Sequence, residues 1–230
     1  MVAPPADSRL RLRISAASGR VRVIAEPREH VLVERGGSAH GADDGAVEVR
    51  PTRRSDSVVV RCPVGADVVV GTQSGRVDLG GQFGAVGVTS HSGSIHVAAV
   101  ASADLRTVSG RVEVEACAGR CRISTTSGKI TVGASGDAEI STTSGTVRID
   151  GVRGSAQLRS VSGSVHLVSS GGGPIRISTV SGTIEVRLPS GMRPHVRAAG
   201  RARVKGTFEP GDDVQVDVAA VSGTVRLVTS

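Results

Sequence analysis

Aromatic residues are almost absent from the sequence: its 230 residues include two Phe and no Tyr or Trp. Any buried core must therefore be built from Val, Ile, Leu and Ala. The chain also lacks the aromatic platforms on which single-stranded nucleic acids stack. A globular fold with a thick core is disfavoured, whereas a β-structure only two strands thick is compatible with this composition.

Asparagine is absent altogether, and cysteine is rare and odd in number. The first absence excludes N-glycosylation and the asparagine ladders that some β-helices use. The three cysteines, Cys62, Cys117 and Cys121, make a poor disulfide framework. Cys117 and Cys121 fall at inward positions of the repeat described below, so we expect buried free thiols rather than a redox or zinc site.

The sequence also lacks a targeting segment that we can recognise. Met1 to Ser8 shows no charged-then-apolar signal pattern, and no apolar run approaches transmembrane length. We expect a cytoplasmic protein, which would be displayed on the cell surface only if a further segment preceded this chain.

What the sequence does contain is a repeated Ser-Gly pair, placed after one short apolar strand and before another. Spacings of 18, 17, 18, 17, 18 and 19 residues separate seven such glycines. A period this short is typical of stacked repeats, in which each unit buries its apolar face against its neighbours. The glycines are Gly75, Gly93, Gly110, Gly128, Gly145, Gly163 and Gly182.

Each repeat alternates apolar and polar residues on both sides of its glycine, which predicts two strands joined by a tight corner. The glycine is expected to adopt a positive φ or to allow a bend where a Cβ would clash. A Thr or Ser three residues before it is predicted to point inward, with its hydroxyl bonded either to the stacked hydroxyl of a neighbouring coil or to the turn backbone. Seven to eight residues per strand and turn leave no room for a helix.

The sequence therefore predicts an all-β fold, a single-stranded parallel β-helix or solenoid with two short strands per coil of ~18 residues and modified end coils. We expect each strand to pair with its equivalent one coil further along. One domain is predicted over residues 1–230, with an irregular capping β region at 1–65, regular coils at 66–189, and carboxy-terminal coils with a cap at 190–230.

The formal net charge is +7, and all but two of the 28 basic residues are Arg. Excess positive charge makes nucleic acid, acidic polymers and anionic lipid candidate partners. The densest basic cluster has alternating spacing, so it is either a surface for phosphate or carboxylate polymers or simply a solvated strand face near an end. It consists of Arg193, His195, Arg197, Arg201, Arg203 and Lys205.

No arrangement of residues predicts an active site. The acidic pairs Asp43–Asp44 and Asp212–Asp213 lie in loops without a recognisable base or ligand set. His91, His96 and His166 occupy positions that other repeats fill with Thr, Gln or Glu. We therefore expect no enzymatic activity, no metal site and no cofactor.

The recurring Thr-x-Ser-Gly-x-Val-x-Val units resemble the bacterial β-strand-repeat family known as "putative adhesins". The lead-in Pro63-Val64-Gly65-Ala66-Asp67-Val68 is also similar to that family, and the resemblance extends from about Arg9 to Val228. It implies a β-solenoid of unknown function. Its motifs are structural, so the resemblance assigns no catalytic residue.

Together these features predict a non-enzymatic scaffold or binding module with a protein or acidic polymer as its partner. Two alternatives stay open. One is a bactofilin-like, self-assembling rod that associates end to end through its terminal strands. The other is a basic surface that docks on nucleic acid or anionic membrane.

Overall fold

A computed structural model describes residues 10–42, 45–53 and 57–229 of the chain. These residues form eleven strands and no helix. Among them, then, there is no helix with the length and apolar character needed to cross a membrane. The strands are β1 (Arg11–Ala16), β2 (Arg20–Glu26), β3 (Leu32–Arg35), β4 (Gly37–Gly41), β5 (Val47–Pro51), β6 (Val58–Pro63), β7 (Asp67–Val152), β8 (Ala156–Ser169), β9 (Ile175–Leu188), β10 (Pro194–Thr207) and β11 (Val214–Thr229).

The predicted parallel solenoid is confirmed, with one difference in its strands. β7 continues through five Ser-Gly corners instead of breaking at each of them. The seven predicted corner glycines all have a positive φ, between 131° and 154°. A Cβ on Gly145 would overlap the carbonyl oxygen of Gly128 one coil before it. Because the corners stack this closely, the hydrogen-bonded ladder runs through them, and two short strands become one long strand.

The chain divides between Ala116 and Cys117 into two compact units. The prediction of a single domain is not tested by this division, and each unit is described by itself. In both units the side chains alternate between buried and exposed along the strands. The buried ones are almost entirely Val, Ile, Leu and Ala, as the composition requires.

In the first unit, the coil formed by β1 and β2 lies between two others. β1 pairs in parallel with β5 on one side and with the start of β7 on the other. β2 pairs in the same way with β6 and β7. Two short antiparallel strands then cover the outer coil, β4 beside β5 and β3 beside β6. They supply partners for backbone groups that would otherwise form an open sheet edge.

In the second unit, β8 pairs with the end of β7, and β9 pairs with β8. β11 pairs with β9, and β10 pairs with β11. All of these pairings are parallel. The spatial order β9–β11–β10 differs from the chain order, so our expectation that each strand pairs with its equivalent one coil further along is wrong at this end. It is also wrong in the first unit, where β5 and β6 pair with the earlier strands β1 and β2 and not with β7.

Burial explains why β11 takes the inner place. β11 carries a complete apolar pattern with a Ser-Gly corner, and its inward residues Val216, Val225 and Leu227 are fully buried. In β10 the valines Val196 and Val204 are only half-buried. The strand with more apolar surface gains more from lying between two neighbours, and the weaker one is left at the end.

Buried hydroxyls at the corners are satisfied by the corner backbone, as predicted. Thr142 Oγ1 donates to the carbonyl oxygen of Ser144 at 3.2 Å. Its equivalents repeat this bond to the residue two positions on, at distances of 3.1–3.3 Å, so the polar column costs the core no unpaired group. They are Ser90, Thr107, Thr125, Ser160 and Thr179.

Candidate functional site

The basic cluster predicted from the sequence lies on one strand at the end of the second unit. Arg193 directly precedes β10, and the other five residues belong to β10. β10 is the last strand in the order of its unit, and β11 is its only strand partner among the described residues. The structure therefore gathers these positive charges on the outermost coil.

The alternation of β10 directs these side chains outward. His195, Arg197, Arg201, Arg203 and Lys205 are exposed, while Val196 and Val204 between them are half-buried. The register against β11 shifts between Gly200 and Ala202. Gly200 has a φ of 84°, and a Cβ there would overlap the carbonyl oxygen of Ala220. This glycine lets β10 turn its corner without a Ser-Gly pair and separates the strand into two basic arms.

The two residues at the start of the cluster contact carboxylates of the loop before β11. The backbone N–H of Arg193 donates to Asp213 Oδ2 at 2.9 Å, and its Nε lies 3.3 Å from the same oxygen. This backbone hydrogen bond, followed by the guanidinium, lowers the pKa of Asp213. His195 Nδ1 lies 3.2 Å from Asp212 Oδ1. The Asp212–Asp213 pair, for which the sequence suggested no partner, therefore holds this loop against the start of β10.

Among the described residues, the rest of the cluster forms no ion pair. Arg197 Nε donates to His195 Nε2 at 3.3 Å. Within the described part of the chain, Arg201, Arg203 and Lys205 form no ion pair. Elsewhere in the second unit opposite charges stand next to each other on neighbouring coils, as in Arg122–Glu139 at 2.7 Å. Three unpaired cations of the described chain thus follow each other at alternate positions on one arm of β10.

A groove of about 470 Å³ lies on the outer face of the same unit and reaches Arg197. Its walls include Arg159, Arg176 and Asp217, and Arg176 Nε lies 3.5 Å from Asp217 Oδ2. The small side chains of Ser178, Ala199 and Ala219 leave the depression between them. The linear sequence does not mark this groove, because its residues come from four stacked strands, β8 to β11, and become neighbours only when the coils stack.

The other candidate residues form no second site. Cys62, Cys117 and Cys121 are buried thiols that are not joined by disulfide bonds. Burial raises the pKa of Cys62 to about 11, and a hydrogen bond with Cys117 together with burial raises that of Cys121. His96 pairs with Glu115 and His166 with Glu185 on neighbouring coils. Asp43 and Asp44 lie outside the described residues.

Across residues 10–42, 45–53 and 57–229, no three His, Cys, Asp or Glu side chains come together in a way that could hold a metal ion. The chemistry that the exposed cluster offers is charge: guanidinium and ammonium groups that bind carboxylate or phosphate.

Comparison with known proteins adds a family. A family model described as Toastrack DUF4097 matches residues 12–201. No curated protein matches the chain. A solved structure described as a "putative cell adhesion protein" from Clostridium sporogenes ATCC 15579 has a TM-score of 0.30 and 8% sequence identity, covering 100% of this chain and 97% of that chain. A likeness at that level carries no argument about function.

Proposed function

Since the chain belongs to the Toastrack DUF4097 family, we propose that it is a non-enzymatic β-solenoid that serves as a binding module, with an anionic partner held on the β10 end of its second unit. The family, which the Ser-Gly motifs had indicated, is confirmed. It comes without an assigned activity, so the argument for function rests on the surface itself.

One observation supports this proposal above the others: within the described residues, the outermost coil of the second unit carries a row of exposed cations without ion pairs on a single strand. Among the described residues, Arg201, Arg203 and Lys205 form no ion pair along this strand. Arg197 is in register with Asp217, a carboxylate that is paired with Arg176. Side chains that only solvate a strand face need no single sign, and like charges on one strand repel each other. An anionic partner would remove that repulsion.

The proposal includes no catalytic step and no cofactor. Asp212 and Asp213, the acidic pair nearest to the basic cluster, are engaged with His195 and Arg193. The thiols are buried, and the raised pKa values of Cys62 and Cys121 keep these two protonated at neutral pH, which disfavours a nucleophilic role.

Retention on a heparin column tests the charge-based part of this proposal. We expect the protein to bind heparin at low salt and to elute by about 0.3 M salt, because exposed ion pairs are screened. Replacing Arg201→Glu and Arg203→Glu together should lower the eluting salt concentration strongly.

The matched control replaces Arg111→Glu and Arg120→Glu, two exposed arginines outside β10. Both pairs of substitutions change the net charge by the same amount. If the two double variants lose retention equally, the binding reflects overall charge, and β10 is not the site.

The open side of β10 also favours a second candidate function, bactofilin-like self-assembly end to end. An unpaired strand edge is a template for pairing with another chain. Self-assembly would appear as sedimentation that increases with protein concentration and that salt does not reverse. Such a result would replace the anionic partner with a second copy.

A further inference from the structure

The outer edge of β10 offers unpaired backbone as well as positive charge. β10 is 14 residues long. In the described part of the chain, only its first residue has a backbone hydrogen bond to a segment other than β11, from the Gly211 N–H to the Pro194 carbonyl oxygen at 3.3 Å. In a strand paired on one side, about half of the residues direct their N–H and C=O groups to the other side. The first unit covers its corresponding edge with β3 and β4.

We propose that β10 binds an extended acidic segment of a partner protein, which adds to the sheet as one more strand. This inference rests on the proposed function and names its partner class. Strand addition draws affinity from backbone hydrogen bonds and specificity from alternate side chains. The edge of β10 offers both backbone groups and alternating side chains.

The charges on neighbouring strands indicate what the added strand should carry. Arg176 is in register with Asp217, and Asp217 with Arg197, so this outward ladder runs positive, negative, positive. A second ladder places Arg226 of β11 beside Lys205 of β10, so two positive charges stand next to each other. Among the described residues, no carboxylate follows them on the outer side of β10. Opposite charges on directly neighbouring strands stabilise a sheet, so the next position in both ladders calls for a carboxylate.

The arm of β10 after Gly200 makes this requirement more specific. Arg201, Arg203 and Lys205 occupy every second position and are exposed, while Val204 between them is half-buried. A segment paired with this arm would meet three cations on its outward face and apolar surface on its inward face. The expected ligand therefore alternates Glu or Asp with an aliphatic residue over about six to seven residues.

A second copy of this chain fits the edge less well. Pairing β10 with β10 would bring two rows of Arg and Lys together, and like charges at opposed positions are destabilising. Of the two outer strands of the first unit, β4 has no carboxylate, and the one carboxylate of β3, Glu34, is already paired with Arg61. The charge of the edge thus favours a foreign acidic strand over self-association.

The test uses the whole chain and three fluorescein-labelled peptides, with dissociation constants measured by fluorescence anisotropy at fixed salt. The first peptide is Gly-Glu-Val-Glu-Val-Glu-Val-Gly. The second has the same composition with its glutamates and valines in separate blocks. The third keeps the first sequence but is N-methylated at alternate residues. It is made in two versions that carry the methyl groups on opposite sets of alternate residues, so that one version blocks the backbone N–H groups facing β10.

We expect the alternating peptide to bind about tenfold or more tightly than the peptide with separate glutamate and valine blocks, which loses side-chain contacts. It should also bind about tenfold or more tightly than the N-methylated version whose N–H groups facing β10 are blocked, which loses several backbone hydrogen bonds. Arg201→Glu with Arg203→Glu should abolish its binding, while Arg111→Glu with Arg120→Glu should leave it nearly unchanged. Hydrogen exchange at residues 194–207 should slow when the alternating peptide is bound.

The outcomes separate the two levels of the proposal. If all peptides bind equally and heparin retention still depends on Arg201 and Arg203, strand addition is wrong and the anionic binding module stands. If neither heparin nor any peptide binds through β10, both are wrong. If sedimentation shows oligomers that the alternating peptide does not dissociate, a second copy occupies the edge and the inference is overturned.

Discussion

Replacing Ile140 by aspartate is expected to unfold the second unit. The Ile140 side chain is 1% exposed and in register with Leu158 on the next coil, which is itself in register with Ile177. The substitution removes a buried apolar side chain and places a carboxylate in a column that offers it no partner. The expected loss is roughly 5 kcal/mol or more, comparable to the whole stability of many domains.

The matched control for this variant is Arg148→Asp, which introduces the same side chain at an outward position. Arg148 is half-exposed, and its Nε donates to Asp150 at 2.7 Å. The loss of such a surface pair should change stability by less than about 1 kcal/mol. With no Trp or Tyr in the chain, urea unfolding is best followed by far-UV circular dichroism. Equal losses for the two variants would contradict the assignment of inside and outside.

Gly145→Ala is expected to have the second-largest effect. Gly145 has a φ of 141°, a conformation that residues with a Cβ adopt only with strain, and that Cβ would overlap the Gly128 carbonyl oxygen. Because the obstacle is the backbone of a stacked coil, local rotation of a side chain cannot relieve it. We expect a loss of roughly 3 kcal/mol or more, measured by the same unfolding experiment.

Gly151→Ala in the same coil provides the comparison. An added Cβ there would lie 3.6 Å from the Gly133 carbonyl oxygen, an ordinary contact. Alanine also restricts the unfolded chain, so stability should stay the same or rise by about 0.5 kcal/mol. If Gly145→Ala proved as harmless as Gly151→Ala, the corner would not depend on stacked glycines.

The regular coils could be predicted from the sequence because every one of them repeats the same local requirements. An apolar residue at every second position, a hydroxyl three residues before the corner, and a glycine at the corner are each visible in the linear pattern. Each also has one physical explanation: burial, a satisfied hydroxyl, or backbone that no side chain can enter. Thr142 shows the satisfied hydroxyl and Gly145 the corner backbone, within four residues.

The second corner of each coil was harder to predict, because its sequence varies. Cys117, Ser135, Val152 and Ser169 occupy equivalent buried positions with different chemistry. Ser169 Oγ donates to the carbonyl oxygen of Gly171 at 2.8 Å, the same solution that the Ser-Gly corner uses. A pattern that mixes Cys, Ser and Val gives no single signal in one sequence.

The sequence predicts the basic residues of the candidate site but not their position at an open edge. The basic residues of β10 stand out because they alternate within one short segment. Their position at an open edge depends on the exchange of β10 and β11, which follows from a comparison of apolar content between strands and from no local motif. The groove beside Arg197 depends on the stacking of coils, as it combines Arg159, Arg176 and Asp217 from three different strands.

Hydrogen exchange read by mass spectrometry is the most direct test of the open β10 edge. The account predicts that residues 214–229 exchange slowly, because β11 is paired with β9 on one side and with β10 on the other. Residues 194–207 should exchange faster, because β10 has a partner on one side only. The reverse result, with 194–207 protected and 214–229 exposed, would place the strands in chain order and remove the edge on which the proposed binding depends.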